Sequence, residues 1–452
     1  MELLDRAIRL HRQAVEATPT DDPDHGLRLG NLGIVLVRQF ERRGSMELES
    51  LDDAIKVLEQ AIEGTPTDQP KYARFLGNLG TTFQTRFQKT GSIEDLDRSI
   101  EVIQRAVEAL AVTHSDHARY LSNLGITFHL RFKRTGSLDD LDRAIEINGQ
   151  AMEATPLTHP DRARRVSNLG LALVSRFERT GSIENIDRAI AAMKQALKAT
   201  PVDHPDYAAC LSNLGMALES RFERTRSMDD LDRAIETDQK AVEATRPDDP
   251  SLAFTFNNLG NAYQSRFEMT NSTEDLDNAI KANQKAVDTM PMDHPDRALC
   301  LSNLALAYHG RFERTGSIEA LGCAIEASEL AAELVPVDHP NCAVCLHHLG
   351  MALESRFEKT GSKEDRDRAI DTRERAAKAH ISPPSWRLKA ARSCADFLIR
   401  QGMFSRAKPI LEAAVHLLPK LTPRYLKQTD GLFNIGEFVN FDWSCRVTCA
   451  RR

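Results

Sequence analysis

Leu211-Ser212-Asn213-Leu214-Gly215, followed by Arg221-Phe222-Glu223-Arg224 and then Leu231-Asp232-Arg233-Ala234-Ile235, decides how the rest of the chain is read. A near-copy stands 45 residues upstream as Val166-Ser167-Asn168-Leu169-Gly170, and another stands 45 residues downstream as Phe256-Asn257-Asn258-Leu259-Gly260. The small residue closing the motif falls at Gly33, Gly80, Gly125, Gly170, Gly215, Gly260, Ala305 and Gly350. After a first step of 47, every step is 45. Self-similarity at such a period marks a stack of like supersecondary units and outranks any other signal in the chain.

One copy, residues 203–246, reads as a helical hairpin. Asp203-His204-Pro205-Asp206 looks like a helix start, because proline suits the first helical position and acids favour the positive end of the dipole. Leu211, Leu214, Ala217, Leu218 and Phe222 then recur at helical spacing on one face. In sister copies the helix is expected to end at Gly91, Gly136, Gly181, Gly316 or Gly361, residues free to adopt a left-handed cap. Ser92-Ile93-Glu94-Asp95 and Ser227-Met228-Asp229-Asp230 put an acid three residues after a hydroxyl, the pattern of a capping box opening a second helix. That helix carries Leu231, Ala234, Ile235, Ala241 and Val242 on its apolar side and stops near Thr245.

These residues resemble the tetratricopeptide repeat. With Gly170 at the small position of the first helix, Leu169 and Leu173 flank it, and Ala189, Ala196 and Pro201 fall where that family places two alanines and a closing proline. The resemblance requires about seven extra residues between the helices and about four after the proline, relative to a unit of about 34 residues. It departs at the bulky position of the second helix, which is Met193 here but Asn148, Asp238 and Asn283 in sister copies. The Asp-His-Pro-Asp and Leu-Ser-Asn-Leu-Gly strings also resemble the long-repeat arrays of kinesin light chains, and still more the fungal arrays that precede a CHAT domain, a caspase-like peptidase fold. Residues 384–428 are similar to the segment joining those arrays to that domain. The resemblance implies an all-α, right-handed superhelical solenoid of antiparallel helix pairs that binds protein or peptide.

Taken in order, residues 1–21 hold an unpaired second-type helix. Residues 22–380 hold eight long hairpins, and 385–419 a ninth of the 34-residue type with Ala395, Leu398, Ala407, Leu411, Ala414 and Pro419. Residues 420–452 form an irregular tail crowded with Phe433, Phe438, Phe441 and Trp443. Pro383-Pro384 is expected to break the preceding helix and Ser385 to cap the next. Arg366 replaces the leucine that opens the second helix elsewhere, so looser packing is expected there. Net charge is −7, with 59 Lys+Arg against 66 Asp+Glu, which argues against a nucleic-acid partner. The N-terminal Met1-Glu2-Leu3-Leu4-Asp5 lacks the look of a signal peptide, and no apolar run reaches a membrane span. Eight scattered cysteines fit reduced thiols in the cytoplasm.

Four sets of positions recur with the repeat. An asparagine ladder runs Asn31, Asn78, Asn123, Asn168, Asn213, Asn258, Asn303, with His348 in the eighth copy. Each member sits one residue before a core leucine, about 100° around the helix from the core face and towards the inner wall. An amide donates and accepts, which suits gripping an extended peptide backbone. The plainer reading is that each amide bonds to the next repeat's backbone and only spaces the helices. Two further inner-wall lines vary from copy to copy. One runs Arg74, Arg119, Arg164, Ala209, Phe254, Leu299, Val344, and suggests a ligand with an acidic head and an apolar tail; the other runs Gln84, His129, Val174, Glu219, Gln264, His309, Glu354. Solvated surface drift is the plainer reading of both. An Arg-Phe ladder (Arg86/Phe87 through Arg356/Phe357) reads as architecture, the arginine bridging to the acid of Leu-Asp-Arg-Ala in its own or an adjacent hairpin.

His114, His159, His204, His294 and His339 stand a repeat apart, too far to share a metal ion, and read as helix-start residues. Cys342-Ala343-Val344-Cys345 with His347 and His348 has the look of a metal or redox motif, but Cys210 and Cys300 share the repeat position of Cys345, which marks a packing site. No nucleophile elbow, phosphate loop or zinc-protease helix is present. The expectation is a non-catalytic scaffold without metal or cofactor that binds a peptide or protein in its concave groove through Asn78, Asn123, Asn168, Asn213, Asn258, Asn303, Arg74, Arg119 and Arg164. It is expected to take neither nucleic acid nor membrane. The alternative is the sensor or regulatory arm of a CHAT-type peptidase or signalling protein whose effector domain is missing from this chain.

Overall fold

The computed structural model describes residues 2–417 except 23, 44–47, 293, 295 and 338, and the side chains at 2 and 41–43 are likewise outside the described part. The tail expected over 420–452 therefore lies outside the described residues, with Cys445, Cys449 and the tail aromatics. Close packing groups the chain into two units, 1–172 and 173–452. Among the described residues there are nineteen helices and no strand.

Unit 1 opens with α1 (Glu2–Glu16). Three helix pairs follow: α2 (His25–Arg43) with α3 (Glu49–Glu63), α4 (Pro70–Thr90) with α5 (Ile93–Glu108), and α6 (His117–Thr135) with α7 (Leu138–Glu153). The division between the units falls within α8 (Arg162–Thr180). Unit 2 continues with α9 (Ile183–Ala199), then pairs α10 (Tyr207–Thr225) with α11 (Met228–Ala244), α12 (Leu252–Thr270) with α13 (Thr273–Thr289), and α14 (Arg297–Thr315) with α15 (Ile318–Leu334). It ends with α16 (Cys342–Thr360) and α17 (Lys363–Lys378), then α18 (Pro384–Arg400) and α19 (Phe404–Val415). The fold is the all-α helix-pair class that the repeat predicts. Within each unit every pair packs on the next.

Local sequence explains each turn of this pattern. The glycine after the first helix of a pair is left-handed wherever it is described (φ 69° at Gly91, 73° at Gly136), and its N–H bonds back to the carbonyl of Phe87 or Phe132. Arg226 and Asn271 hold the same conformation without being glycine. Ser137, Ser227, Ser272, Ser317 and Ser362 each accept a hydrogen bond from the backbone N–H three residues on. The boxes are only half formed, however, because the acid goes elsewhere. The buried Asp140 and Asp230 carboxylates accept from Arg131 and Arg221 at 2.5 Å, nine residues upstream in the same pair. The same guanidiniums also reach Asp97 (2.6 Å) and Asp187 (2.9 Å), the acid of the Leu/Ile-Asp-Arg string in the preceding pair. The arginine ladder is thus architectural: Arg86, Arg131, Arg221 and Arg266 each tie three helices together, whereas Arg311 and Arg356, for which Ala320 and Gly322 stand in place of one acid, each tie two.

Two local expectations shift. The helix after Asp203-His204-Pro205-Asp206 begins only at Tyr207; His204 Nδ1 accepts the Asp206 N–H (3.1 Å) and orders the turn before it, as His114, His159, His294 and His339 do in their copies. Helix α18 begins at Pro384, so Ser385 lies inside its first turn rather than capping it. Arg366 turns partly outward to pair with Asp367 (2.8 Å), and the apolar core still continues beside it through Ala369, Ile370, Leu388, Ala391 and Leu398.

The departure from the tetratricopeptide pattern in the second helix has a physical account. The motif glycine lets that helix come so close that its facing side chain occupies the space a Cβ would need: Leu58 Cγ lies 2.7 Å from where a Cβ on Gly33 would stand, and Arg373 Cγ 2.6 Å from that of Gly350. The residue in this slot is Leu58, Ile103 or Asn148 in unit 1 and Met193, Asp238, Asn283, Ser328 or Arg373 in unit 2, always at most 3% exposed. In most copies its polarity follows the residue four after the small position on the first helix, although apolar Ile103 stands with Gln84. Met193 shares its copy with buried Val174, whereas Arg373 donates to Glu354.

Candidate ligand-binding groove

The first helices of unit 2 expose one face to a cavity of about 1240 Å³. On α14 that face is Leu299, Asn303, Leu306, His309 and Glu313, and on α16 it is Val344, His348, Met351, Glu354 and Glu358. Steps of three and four residues keep such sets on one side of a helix. The same phase on α10 and α12 contributes Glu219, Glu223, Gln264 and Glu268, and α18 closes one end with Trp386, Lys389, Arg392 and Arg400.

Both variable lines therefore meet in this groove: Leu299 and Val344 from one, Glu219, Gln264, His309 and Glu354 from the other. Of the asparagine ladder, Asn303 and its counterpart His348 line the groove, and Asn213 and Asn258 do not. The ladder amides are half-buried and reach towards the preceding pair. Asn168 donates to Ser122 Oγ (3.1 Å), Asn258 to Ser212 Oγ (3.1 Å), and Asn303 to Asn257 Oδ1 (3.0 Å). The bridge goes to a side chain of the preceding pair, where the plainer reading had it at the backbone of the next repeat. In unit 1, Arg119 pairs with Asp116 (3.1 Å), Arg164 with Asp161 (2.6 Å), and Arg74 stacks over Phe75 (5.4 Å). These three arginines of the first line are thus largely engaged within their own helices.

One line went unread in the sequence. The residue after each Arg-Phe is Gln88 and Lys133 in unit 1 but Glu178, Glu223, Glu268, Glu313 and Glu358 in unit 2, and all five glutamates are exposed and border the cavity. The signal was the repeat phase itself, one step beyond the architectural pair.

Electrostatics within the groove are uneven. Burial pushes the Glu219 carboxyl up to about 8, helped by Glu223 and Glu268 and opposed by the Ser265 hydroxyl that donates to it (3.1 Å). Behind it Asp238 is fully buried, its carboxyl held well above the usual range by burial and then by Glu219, and neither of its oxygens has a hydrogen-bond partner. Burial likewise keeps His348 neutral, down to about 3, with Nδ1 on Ser302 Oγ (2.8 Å), and holds His347 well below its ordinary value. At the other end Glu354 is clasped by Arg373 and Arg400, and Lys389 lies 4.5 Å from the Trp386 ring.

This chemistry suits binding. Burial raises the Cys300, Cys345 and Cys394 thiols to about 12, far from nucleophilic thiolate, and Cys345 Sγ points at the Ala298 carbonyl (3.7 Å). Among the described residues no group of three or more His, Cys, Asp or Glu is placed to hold a metal ion. Among them, too, no helix is long and apolar enough to cross a membrane.

A stack of helix pairs with a recurrent groove-facing helix defines a repeat-type binding architecture. Residues 208–251 match the tetratricopeptide repeat family, and the 45-residue copies on either side carry the same pattern, so the array is built of tetratricopeptide-type repeats. No curated protein matches the chain. Similar solved structures include a putative kinesin light chain of Podosopora anserina with nearly identical TPR-like repeats (19% identity, 49% of this chain and 97% of that one, TM-score 0.35). The thermophilic TPR protein TTC0263 of Thermus thermophilus is another (18%, 51% and 98%, TM-score 0.37). A third is the human IFIT1 dimer with PPP-AAAA (12%, 86% and 89%, TM-score 0.41), which also matches as the dimer with m7Gppp-AAAA.

The last of these corrects one expectation. The exclusion of nucleic acid rested on net charge, and a similar solved structure carries an RNA-type ligand, so that exclusion does not stand. Net charge sums the whole surface and is silent about any one patch.

Proposed function

We propose that the chain is a non-catalytic interaction scaffold that binds a peptide or protein segment in the groove of unit 2. The observation that carries this is the cavity of about 1240 Å³, lined in repeat phase by members of both lines that vary from copy to copy. Architecture demands sameness, as in the Arg-Asp bridges, whereas selective recognition requires variation along a common face. Leu299, Leu306, Val344, Met351 and Trp386 supply apolar surface, and Asn303 offers an amide to a bound backbone. The equivalent face in unit 1, with Asn78, Asn123 and Asn168 beside Arg74, Arg119 and Arg164, forms a second contact surface in this reading; Asn258 braces α12 against α10 through Ser212.

The test is panning of a displayed random-peptide library against the full chain, followed by titration of recovered peptides into Leu299→Glu and Asn303→Ala variants. Loss of affinity by about tenfold or more is expected with Leu299→Glu, since a buried apolar contact becomes an unpaired charge. Recovered peptides that bind both variants as well as the parent would overturn the assignment.

A further inference from the structure

Around Glu219 the groove is rich in acceptors. The Glu219 carboxylate lies on α10 with Glu223 one turn on, and from α12 come Glu268 and Gln264, whose Nε2 is spent on Glu268 (3.2 Å). That leaves Gln264 Oε1 buried and without a hydrogen-bond partner, on a residue only 7% exposed that lines the cavity. Buried acceptors without donors are costly and uncommon. The Ser265 hydroxyl donates to Glu219, and fully buried Asp238 adds two more unpartnered oxygens behind it.

Resting on the groove reading, we propose that this end of the groove takes a basic side chain of the bound segment, a guanidinium or ammonium seated among Glu219, Glu223, Gln264 and Glu268. Such a group brings several N–H donors to a site rich in acceptors, and charge-assisted bonds to carboxylates are the strong kind. Glu178 and Glu313 prolong the acidic rim on either side, so further basic residues along the same segment are favoured. At the opposite end the charge reverses, with Lys389 and Arg392 beside Trp386. The difference from unit 1, where Gln88 and Lys133 hold the rim positions, shows that the acidic rim is no general requirement of the repeat.

Protonation gives the site a signature. Empty, the Glu219 carboxyl is held up to about 8 by burial and by its acidic neighbours Glu223 and Glu268, with Asp238 behind. A cation favours the ionised form, so binding near neutral pH expels a proton and affinity climbs as the pH rises towards 8.

The experiment titrates three capped peptides, alternating arginine–leucine, serine–leucine and glutamate–leucine, into the full chain by calorimetry in two buffers of different ionisation heat. The arginine peptide is expected to bind about tenfold more tightly than the serine peptide, with proton release, and the glutamate peptide least. Glu219→Gln abolishes the proton release, and Glu268→Gln, an exposed position that leaves the fold alone, removes about tenfold of the affinity. Equal binding of all three peptides, each weakened by Leu299→Glu, refutes the basic-residue inference while the groove reading stands. No dependence on any of these substitutions refutes both.

Discussion

Asp238 is the residue whose replacement reads the interior most directly. It is 0% exposed in a slot that sister copies fill with Ile103 and Met193, and both its carboxyl oxygens lack partners. In Asp238→Met the unpartnered carboxyl disappears, worth about 1–3 kcal/mol. Apolar contact replaces it, worth up to about 2 kcal/mol for a side chain of that size. A gain of about 1–5 kcal/mol is therefore expected at low pH. The gain grows with pH. Because the folded carboxyl is held above its unfolded value, the native state binds more protons than the unfolded one, and wild-type stability falls as pH rises from the unfolded value through the folded one. Asp238→Asn, the residue found at Asn148 and Asn283, separates the two parts, since it removes only the titration and should gain at high pH alone. Urea midpoints at about pH 5.5 and about pH 8.5, with amide exchange over α10 and α11, measure this as the difference from wild type; the dependence left in Asp238→Met includes Glu219 at about 8 and, with opposite sign, buried neutral His129, His347 and His348. A methionine variant less stable than wild type at both pH values, or a gain that shrinks as pH rises, would refute the reasoning.

Arg366→Leu should raise stability by about 1–2 kcal/mol. The equivalent Leu231, Leu276 and Leu321 are at most 2% exposed, each such burial is worth about 1.5–3 kcal/mol, and the exposed pair with Asp367 that is lost contributes at most about 1 kcal/mol. An unchanged thermal midpoint would mean the slot cannot accept a leucine. Alkylation with iodoacetamide at neutral pH, mapped by mass spectrometry, should label exposed Cys323 and spare Cys300, Cys345 and Cys394; rapid labelling of Cys345 in the folded chain would contradict its place as a packing residue.

Much of this protein is legible in one dimension because its interactions are short in sequence or fixed in phase. Glycine after Phe-x-x-Thr stops a helix, serine starts the next, and apolar residues at three- and four-residue steps declare the buried face; each rests on local backbone geometry that any copy displays. Phase also exposed the arginine ladder, although its nearer acid, Asp230 rather than the Leu-Asp acid, emerged only when the two helices were laid side by side. What tertiary structure alone decided concerns distances between copies. The asparagine amides could turn to a peptide or to the preceding pair, and the 46-residue reach from Asn258 to Ser212 follows from the stacking of helices, not from either helix. The polar residues at Asn148, Asp238 and Asn283 depart from the repeat pattern without a reason visible in one dimension; the absent Cβ of the motif glycine draws their helix inward and seals them from water. Likewise the glutamates after Arg-Phe are ordinary solvated acids on one helix. They become the rim of a groove because five such helices of unit 2 present them to the same cavity, where shared desolvation and mutual repulsion give Glu219 a chemistry no single repeat possesses.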